Sequence, residues 1–299
     1  MPIRNNFDIS HLEEFSKKFD NHFVSYVQKQ TSPDKRIKKA LLYFIKTGGK
    51  RIRPFIISML GDFFSLNKNS ILDLAVAVEC VHLHSLIHDD LPAMDNDDFR
   101  RGKPTVHKKF DEATAVLAGD LFQVLSIKRL SETHYLNDKQ KIKSINLLTS
   151  ANGFKGLIAG QSLDIYMKKN SSLKQIEVMY AHKTGALFNL CFELPAQFVK
   201  LNPSQKKDLK ILSNTLGLIF QLTDDMLDRW GDEKIVGKKI NKDSKKASIA
   251  YKLNYQDCSA YLNQVQIQNF KALHRFFIKD INAATYMSSF MDYIANRVN

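Results

Sequence analysis

Apolar residues recur every three or four positions along almost the whole chain, the spacing of one face of an α-helix. Phe15, Phe19, Phe23 and Tyr26 mark such a face within the first 32 residues. Ser32-Pro33-Asp34 starts a second helix, with proline near its first turn and Ile37, Ala40, Leu41 and Phe44 as its stripe. It stops where Gly48-Gly49 lets the chain turn. Pro54 opens the next helix, through Phe64, and Leu72 to Leu91 reads as a long core helix. Asp111 or Glu112 begins another through Leu130, and the chain continues helical from Ile142 to Leu163. Leu173 to Leu194 follows, interrupted near Thr184-Gly185, and Pro203 starts the helix that ends in a second acidic cluster. After Gly231 come a lysine-rich loop and further polar–apolar helices. No alternating strand pattern bounded by hairpin turns is present, and no short internal repeat. The expected fold class is all-α: one domain over residues 1–299, a single bundle of roughly ten or more helices around a central cavity.

Two of these helices end in acid. His88-Asp89-Asp90-Leu91-Pro92-Ala93-Met94-Asp95-Asn96-Asp97-Asp98-Phe99-Arg100-Arg101-Gly102 places five aspartates in ten residues, with two arginines directly behind. Crowded carboxylates raise one another's pKa and cost stability, unless a hard cation such as Mg²⁺ takes their oxygens and bridges them to phosphate. Arginine offers the planar fork of donors that suits such a phosphate. An isolated acidic run is usually a solvated turn, but this one closes an apolar stretch. The theme repeats about 130 residues later in Thr223-Asp224-Asp225-Met226-Leu227-Asp228. Asp224 and Asp228 are four apart and share a helix face. Pro92 disfavours helical geometry at Leu91, so Asp95 has to return toward Asp89 and Asp90 through a turn. Two such clusters suggest two helices aiming carboxylates into one space, where they could hold divalent ions and a diphosphate.

These motifs, DDLPAMD and DDMLD, resemble those of the trans-prenyl diphosphate synthases, most closely the bacterial-type farnesyl diphosphate synthases with a DDxxxxD first motif. The likeness runs from about Gly48 to Lys246 and includes Gly48-Gly49-Lys50-Arg51-Ile52-Arg53-Pro54, Gly160-Gln161-Ser162-Leu163-Asp164 and His182-Lys183-Thr184-Gly185-Ala186-Leu187. It implies a prenyltransferase that condenses isopentenyl diphosphate with dimethylallyl or geranyl diphosphate to a C15 product, with C20 synthesis as the alternative. A non-catalytic regulatory subunit is the more remote reading, and intact aspartate motifs speak against it. A terpene cyclase would need no second diphosphate pocket. By the resemblance, Mg²⁺, three ions per site, is held by Asp89, Asp90, Asp95, Asp224, Asp225 and Asp228. Lys50, Arg53, His82 and Arg101 are assigned to isopentenyl diphosphate; Arg100, Lys183 and Lys238 go to the allylic diphosphate. Lys183, Thr184 and Gln221 are the catalytic candidates, since a helix irregularity at Lys183-Thr184-Gly185 could expose a backbone carbonyl that, with Thr184 and Gln221, stabilises a carbocation. His84, five residues before the first aspartate, and Ser85 are expected to wall the product channel. The chain departs from the pattern at Asn96, where aspartate is common, and in a shortened Asp243-Ser244-Lys245-Lys246-Ala247-Ser248 segment.

Other readings of these residues fall away. Gly48-Gly49-Lys50 lacks the GxxxxGK[ST] pattern of a phosphate loop, and His84 and His88 lack the glutamate of a metalloprotease helix. A net charge of +13, from 44 basic and 31 acidic residues, favours anionic partners. The lysines are scattered without a basic stripe, which argues against nucleic acid. Cys80, Cys191 and Cys258 have neither disulfide nor zinc spacing. No secretory signal is visible, and no apolar run approaches the ~18 residues needed to span a bilayer. A cytoplasmic protein is expected, and the resemblance adds a homodimer.

Overall fold

The computed structural model describes residues 6–231 and 246–296. Among them the chain is all-α apart from one antiparallel pair of two-residue strands, β1 (Phe99–Arg100) and β2 (Lys103–Pro104). It divides into two compact units: Ile9–Leu148, and Met1–Asp8 with Thr149–Asn299.

The first unit holds α1 (Ile9–Lys29), α2 (Lys35–Lys46), α3 (Ile52–Phe63), α4 (Lys68–Asp89), the short α5 (Val106–Lys109), α6 (Glu112–Glu132) and most of α7 (Asp138–Asn152). Its axis is α4, packed on α3 and α6 and buried on every side, as a helix without a polar face must be. This corrects the expectation about apolar runs. An 18-residue window of α4 reaches a mean hydropathy of 1.5, enough by composition to span a bilayer, but 83% of that window is buried. The predicted stripe of α1 is confirmed by Phe19 and Phe23, both fully buried, which meet each other, and Phe23 also meets Phe122 of α6.

Local chemistry fixes most boundaries. Asp34 caps α2 by accepting from the Arg36 N–H at 2.7 Å, and Asp111 caps α6 by accepting from Thr114 at 2.6 Å. Helix α3 starts at Ile52, two residues before the proline expected to open it. Pro54 lies in the first turn, where its missing N–H costs nothing. Helix α4 stops at Asp89 with Asp90 as its C-cap, ahead of Pro92 as anticipated.

The second unit contains α8 (Leu157–Tyr166), α9 (Leu173–Tyr180), a five-residue π-helix (Ala181–Gly185), α10 (Ala186–Ala196), α11 (Pro203–Trp230), α12 (Ile249–Lys252), α13 (Tyr255–Phe276) and α14 (Ile281–Ala295). The expected continuity from Ile142 to Leu163 fails at Gly153–Gly156, where a turn closed by Gly156 N–H to Gly153 O at 3.0 Å separates α7 from α8. Pro203 does open α11, behind an Asn202–Gln205 capping box. The interruption predicted near Thr184-Gly185 is the π-helix. Gly217 of α11 crosses it so closely that a Cβ there would lie 2.8 Å from the Gly185 Cα. Ile176, Tyr180, Leu222, Ile249 and Cys258 form a core that ties α9, α11, α12 and α13 together.

Candidate active site

In the first unit, the turn after α4 brings the first acidic motif back on itself. The Asp95 N–H donates to the Asp89 carbonyl at 2.8 Å, the return that Pro92 required, and Asn96 takes a left-handed φ of 51° to complete it. Asp90 is buried, and the Arg100 guanidinium grips both of its oxygens: Nε at 2.8 and 2.9 Å, Nη2 at 2.6 Å. Burial pushes the Asp90 carboxyl up; the Arg100 contact opposes that shift.

The basic candidates of this unit gather around His82. Arg53 Nη1 donates to His82 Nε2 at 3.4 Å. Burial first, then the guanidiniums of Arg53, Arg101, Arg51 and Arg100, hold the imidazole well below its ordinary pKa. His82 is therefore neutral, set in a strongly positive surround. Arg101 donates to the Gly48 carbonyl, and a Cβ at Gly49 would come within 2.7–2.8 Å of its guanidinium. Glycine at 49, with φ of 140°, thus serves the close approach of Arg101. Lys50 is exposed at the rim of the same loop, its carbonyl accepting from the Ser16 hydroxyl at 3.2 Å.

The glycine loop rests on Arg51, which the sequence reading passed over. Its side chain is fully buried, pairs with Asp20 at 2.6 Å and Glu79 at 2.7 Å, and donates to the Ile45 carbonyl at 2.9 Å. His84 and Ser85 are both buried. His84 Nδ1 lies 3.1 Å from the Gly119 carbonyl and its ring stands edge-on to His88, while the Ser85 hydroxyl donates to the His82 carbonyl at 2.9 Å. Burial lowers His84 to about 4.

In the second unit, α11 and the π-helix assemble the other candidates. Thr184 donates to Gln221 Oε1 at 2.6 Å, and Gln221 Nε2 donates to Asp225 Oδ1 at 2.9 Å. The two bonds leave the Gln221 amide only one orientation. The other Asp225 oxygen accepts from the Tyr180 hydroxyl, a partner that no local pattern announced. Burial, against these hydrogen bonds, pushes Asp225 up to about 7. Asp228 is buried and accepts from the Tyr251 hydroxyl at 3.1 Å; Asp224 beside it is half-buried. Lys183 pairs with Asp164 at 2.5 Å, and Lys246 lies 3.7 Å from the same oxygen. Asp164, quoted in the sequence only as part of a motif, is thus a shared counter-ion. Lys238 lies outside the described residues.

Among the described residues no three Asp, Glu, His or Cys side chains converge enough to hold a metal ion on their own. The donor set still fits a hard divalent cation that shares its shell with an anion. All the motif donors are carboxylate oxygens, and the buried Asp90 and Asp225 have raised pKa values that positive charge would relieve.

The polyprenyl synthetase family model matches residues 34–273. A farnesyl diphosphate synthase from Micrococcus luteus is 37% identical over 252 residues, covering 83% of this chain and 86% of that protein. A geranyltransferase structure from Legionella pneumophila superposes with a TM-score of 0.86 at 32% identity, over 96% of both chains. One from Helicobacter pylori, complexed with magnesium and isoprenyl diphosphate, does so at 0.81 and 29% identity, over 94% of this chain and 96% of that one. The chain belongs to the polyprenyl synthetase family.

Proposed function

We propose that this protein is a Mg²⁺-dependent prenyltransferase that condenses isopentenyl diphosphate with dimethylallyl and then geranyl diphosphate to give farnesyl diphosphate. One observation carries the reading. The chain builds two basic sets of different composition, Arg53, His82 and Arg101 in one unit and Lys183 with Lys246 in the other, each accompanied by an acidic motif. Two diphosphates need two such sets; a cyclase, with one, would not.

Lys50, Arg53, His82 and Arg101 bind isopentenyl diphosphate, the neutral His82 accepting one hydrogen bond while the guanidiniums supply charge. Arg100, Lys183 and Lys238 take the allylic diphosphate, and Lys246 joins them through its place on Asp164. Mg²⁺, three ions held by Asp89, Asp90, Asp95, Asp224, Asp225 and Asp228, would neutralise charge on the departing diphosphate. When the allylic C–O bond breaks, the Gln221 carbonyl oxygen, the Thr184 hydroxyl and a π-helix carbonyl face positive charge with dipoles rather than with a nucleophile that would trap it. The isopentenyl alkene then forms the new C–C bond, and the intermediate loses a proton to the released diphosphate. His84 and Ser85 wall the product channel.

The protein works as a cytoplasmic homodimer in this reading. Three free, buried cysteines suit a reducing compartment, and Val116, Leu117 and Val124 form an exposed apolar face of α6 that a second copy could cover.

Purified protein with Mg²⁺, labelled isopentenyl diphosphate and dimethylallyl or geranyl diphosphate should yield a C15 alcohol after dephosphorylation, and Asp89→Ala should abolish it. A C20 product would keep the chemistry and change the chain length. No elongation with any allylic partner would replace the enzyme by a regulatory subunit.

A further inference from the structure

We propose that Tyr180 and Tyr251 are positioning residues for the second acidic motif. Each hydroxyl aims one of its carboxylates, and together they fasten the segment from Ser248 to Leu253 to α11. The proposal rests on the reading of that motif as a metal and diphosphate site.

Tyr180 is buried, so its hydroxyl needs a partner. It donates to Asp225 Oδ2 and accepts the Ile249 N–H at 3.0 Å, joining the carboxylate to the first turn of α12. Gln221 holds the other Asp225 oxygen at 2.9 Å, which fixes the plane of the carboxylate from both sides. Ser248, the N-cap of α12, also hydrogen-bonds Asp225. One turn along, Tyr251 donates to Asp228 Oδ2 at 3.1 Å. Its ring lies 5.3 Å from the guanidinium of Arg229, which also donates to the Leu253 carbonyl at 2.9 Å.

All these donors are neutral, and among the described residues no lysine or arginine pairs with Asp225. Neutral donors fix where a carboxylate points while leaving its charge for a cation; an arginine would fix it and cancel it. Lys246 lies two residues ahead of this segment and 3.7 Å from Asp164. Releasing the tyrosines should therefore disturb both cation binding and the allylic lysines, and leave the isopentenyl set untouched.

The test compares Tyr180→Phe, Tyr251→Phe and Asp225→Asn with the parent. Mn²⁺ binding is followed by electron paramagnetic resonance with inorganic diphosphate present, beside KM for each substrate and thermal unfolding without metal. Tyr180→Phe should weaken Mn²⁺ binding about 10- to 100-fold and raise KM for geranyl diphosphate, with KM for isopentenyl diphosphate unchanged within about twofold. Tyr251→Phe should shift the same quantities in the same direction by less. A folded Tyr180→Phe protein with parental Mn²⁺ affinity overturns the proposal. If Tyr180→Phe does not fold, the half-exposed Tyr251 decides, and parental values for Tyr251→Phe overturn it. Parental Mn²⁺ binding by Asp225→Asn would instead sink the metal reading itself, and the positioning roles with it.

Discussion

The two acidic motifs look alike in sequence and are supported in opposite ways. Around the first, cations do the holding: Arg100 grips Asp90, and Arg51 beneath the glycine loop is locked by Asp20 and Glu79. Around the second, hydroxyls and an amide do it: Tyr180 and Gln221 on Asp225, Tyr251 on Asp228. A carboxylate gripped by a guanidinium is held in place with its charge already answered. Asp225, buried and held by a hydroxyl and an amide, rises to about 7. At Asp90 a cation therefore has to displace a guanidinium, whereas at Asp225 it meets neutral donors.

The contrast can be broken most directly at Arg51. Replacing it by Met strands two buried or half-buried carboxylates, and chemical denaturation should show a loss of about 3–5 kcal/mol. A loss below about 1 kcal/mol would mean that ion pairs do not organise this unit. Next comes Asp225→Asn, expected to reduce kcat about 100- to 1000-fold, some 2.7–4 kcal/mol of transition-state stabilisation. A smaller loss than that of Asp90→Asn would reverse the contrast drawn between Asp225 and Asp90.

Acid should sharpen the comparison further. His84 titrates near 4 when folded against an ordinary 6.5, so between those values the unfolded chain binds the extra proton. Its contribution is fully present above pH 6.5 and declines as pH falls toward 4, by at most about 3 kcal/mol. His84→Gln should flatten that part of the stability profile. Asp225 has the opposite sign: its folded value of about 7 lies above the ordinary 3.8, so its term weakens as pH rises between them. Metal-free urea titrations of the two variants should diverge in slope. The smallest effect is expected for Thr184→Val, which frees the Gln221 amide to rotate. It should cost about 1 kcal/mol, roughly fivefold in kcat, with KM for isopentenyl diphosphate unchanged.

What could be read from the sequence follows the range of each interaction. Asp34, Asp111 and the pair Asn202-Pro203 act within three residues, so helix starts were legible there. The return of Asp95 followed from Pro92, and the π-helix was foreshadowed as a break near Gly185. Pro54 misled, because a proline is tolerated throughout a first turn and does not mark which residue begins it. Arg51 with Glu79, 28 residues apart, and Tyr180 with Asp225, 45 apart, left no local trace. Asp164, the one charged residue of α8, is the hint of a counter-ion that the sequence does offer.

Gly49 carries a consequence for how this chain can change. Its missing side chain is a reserved volume, and the guanidinium of Arg101 occupies it. Drift at position 49 is therefore tied to position 101, far along the chain. A larger residue at 49 would displace the arginine, and it would also be strained at the φ of 140° that glycine holds there. Position 49 is thus held to glycine twice, by its own backbone and by a side chain that no sequence window would pair with it.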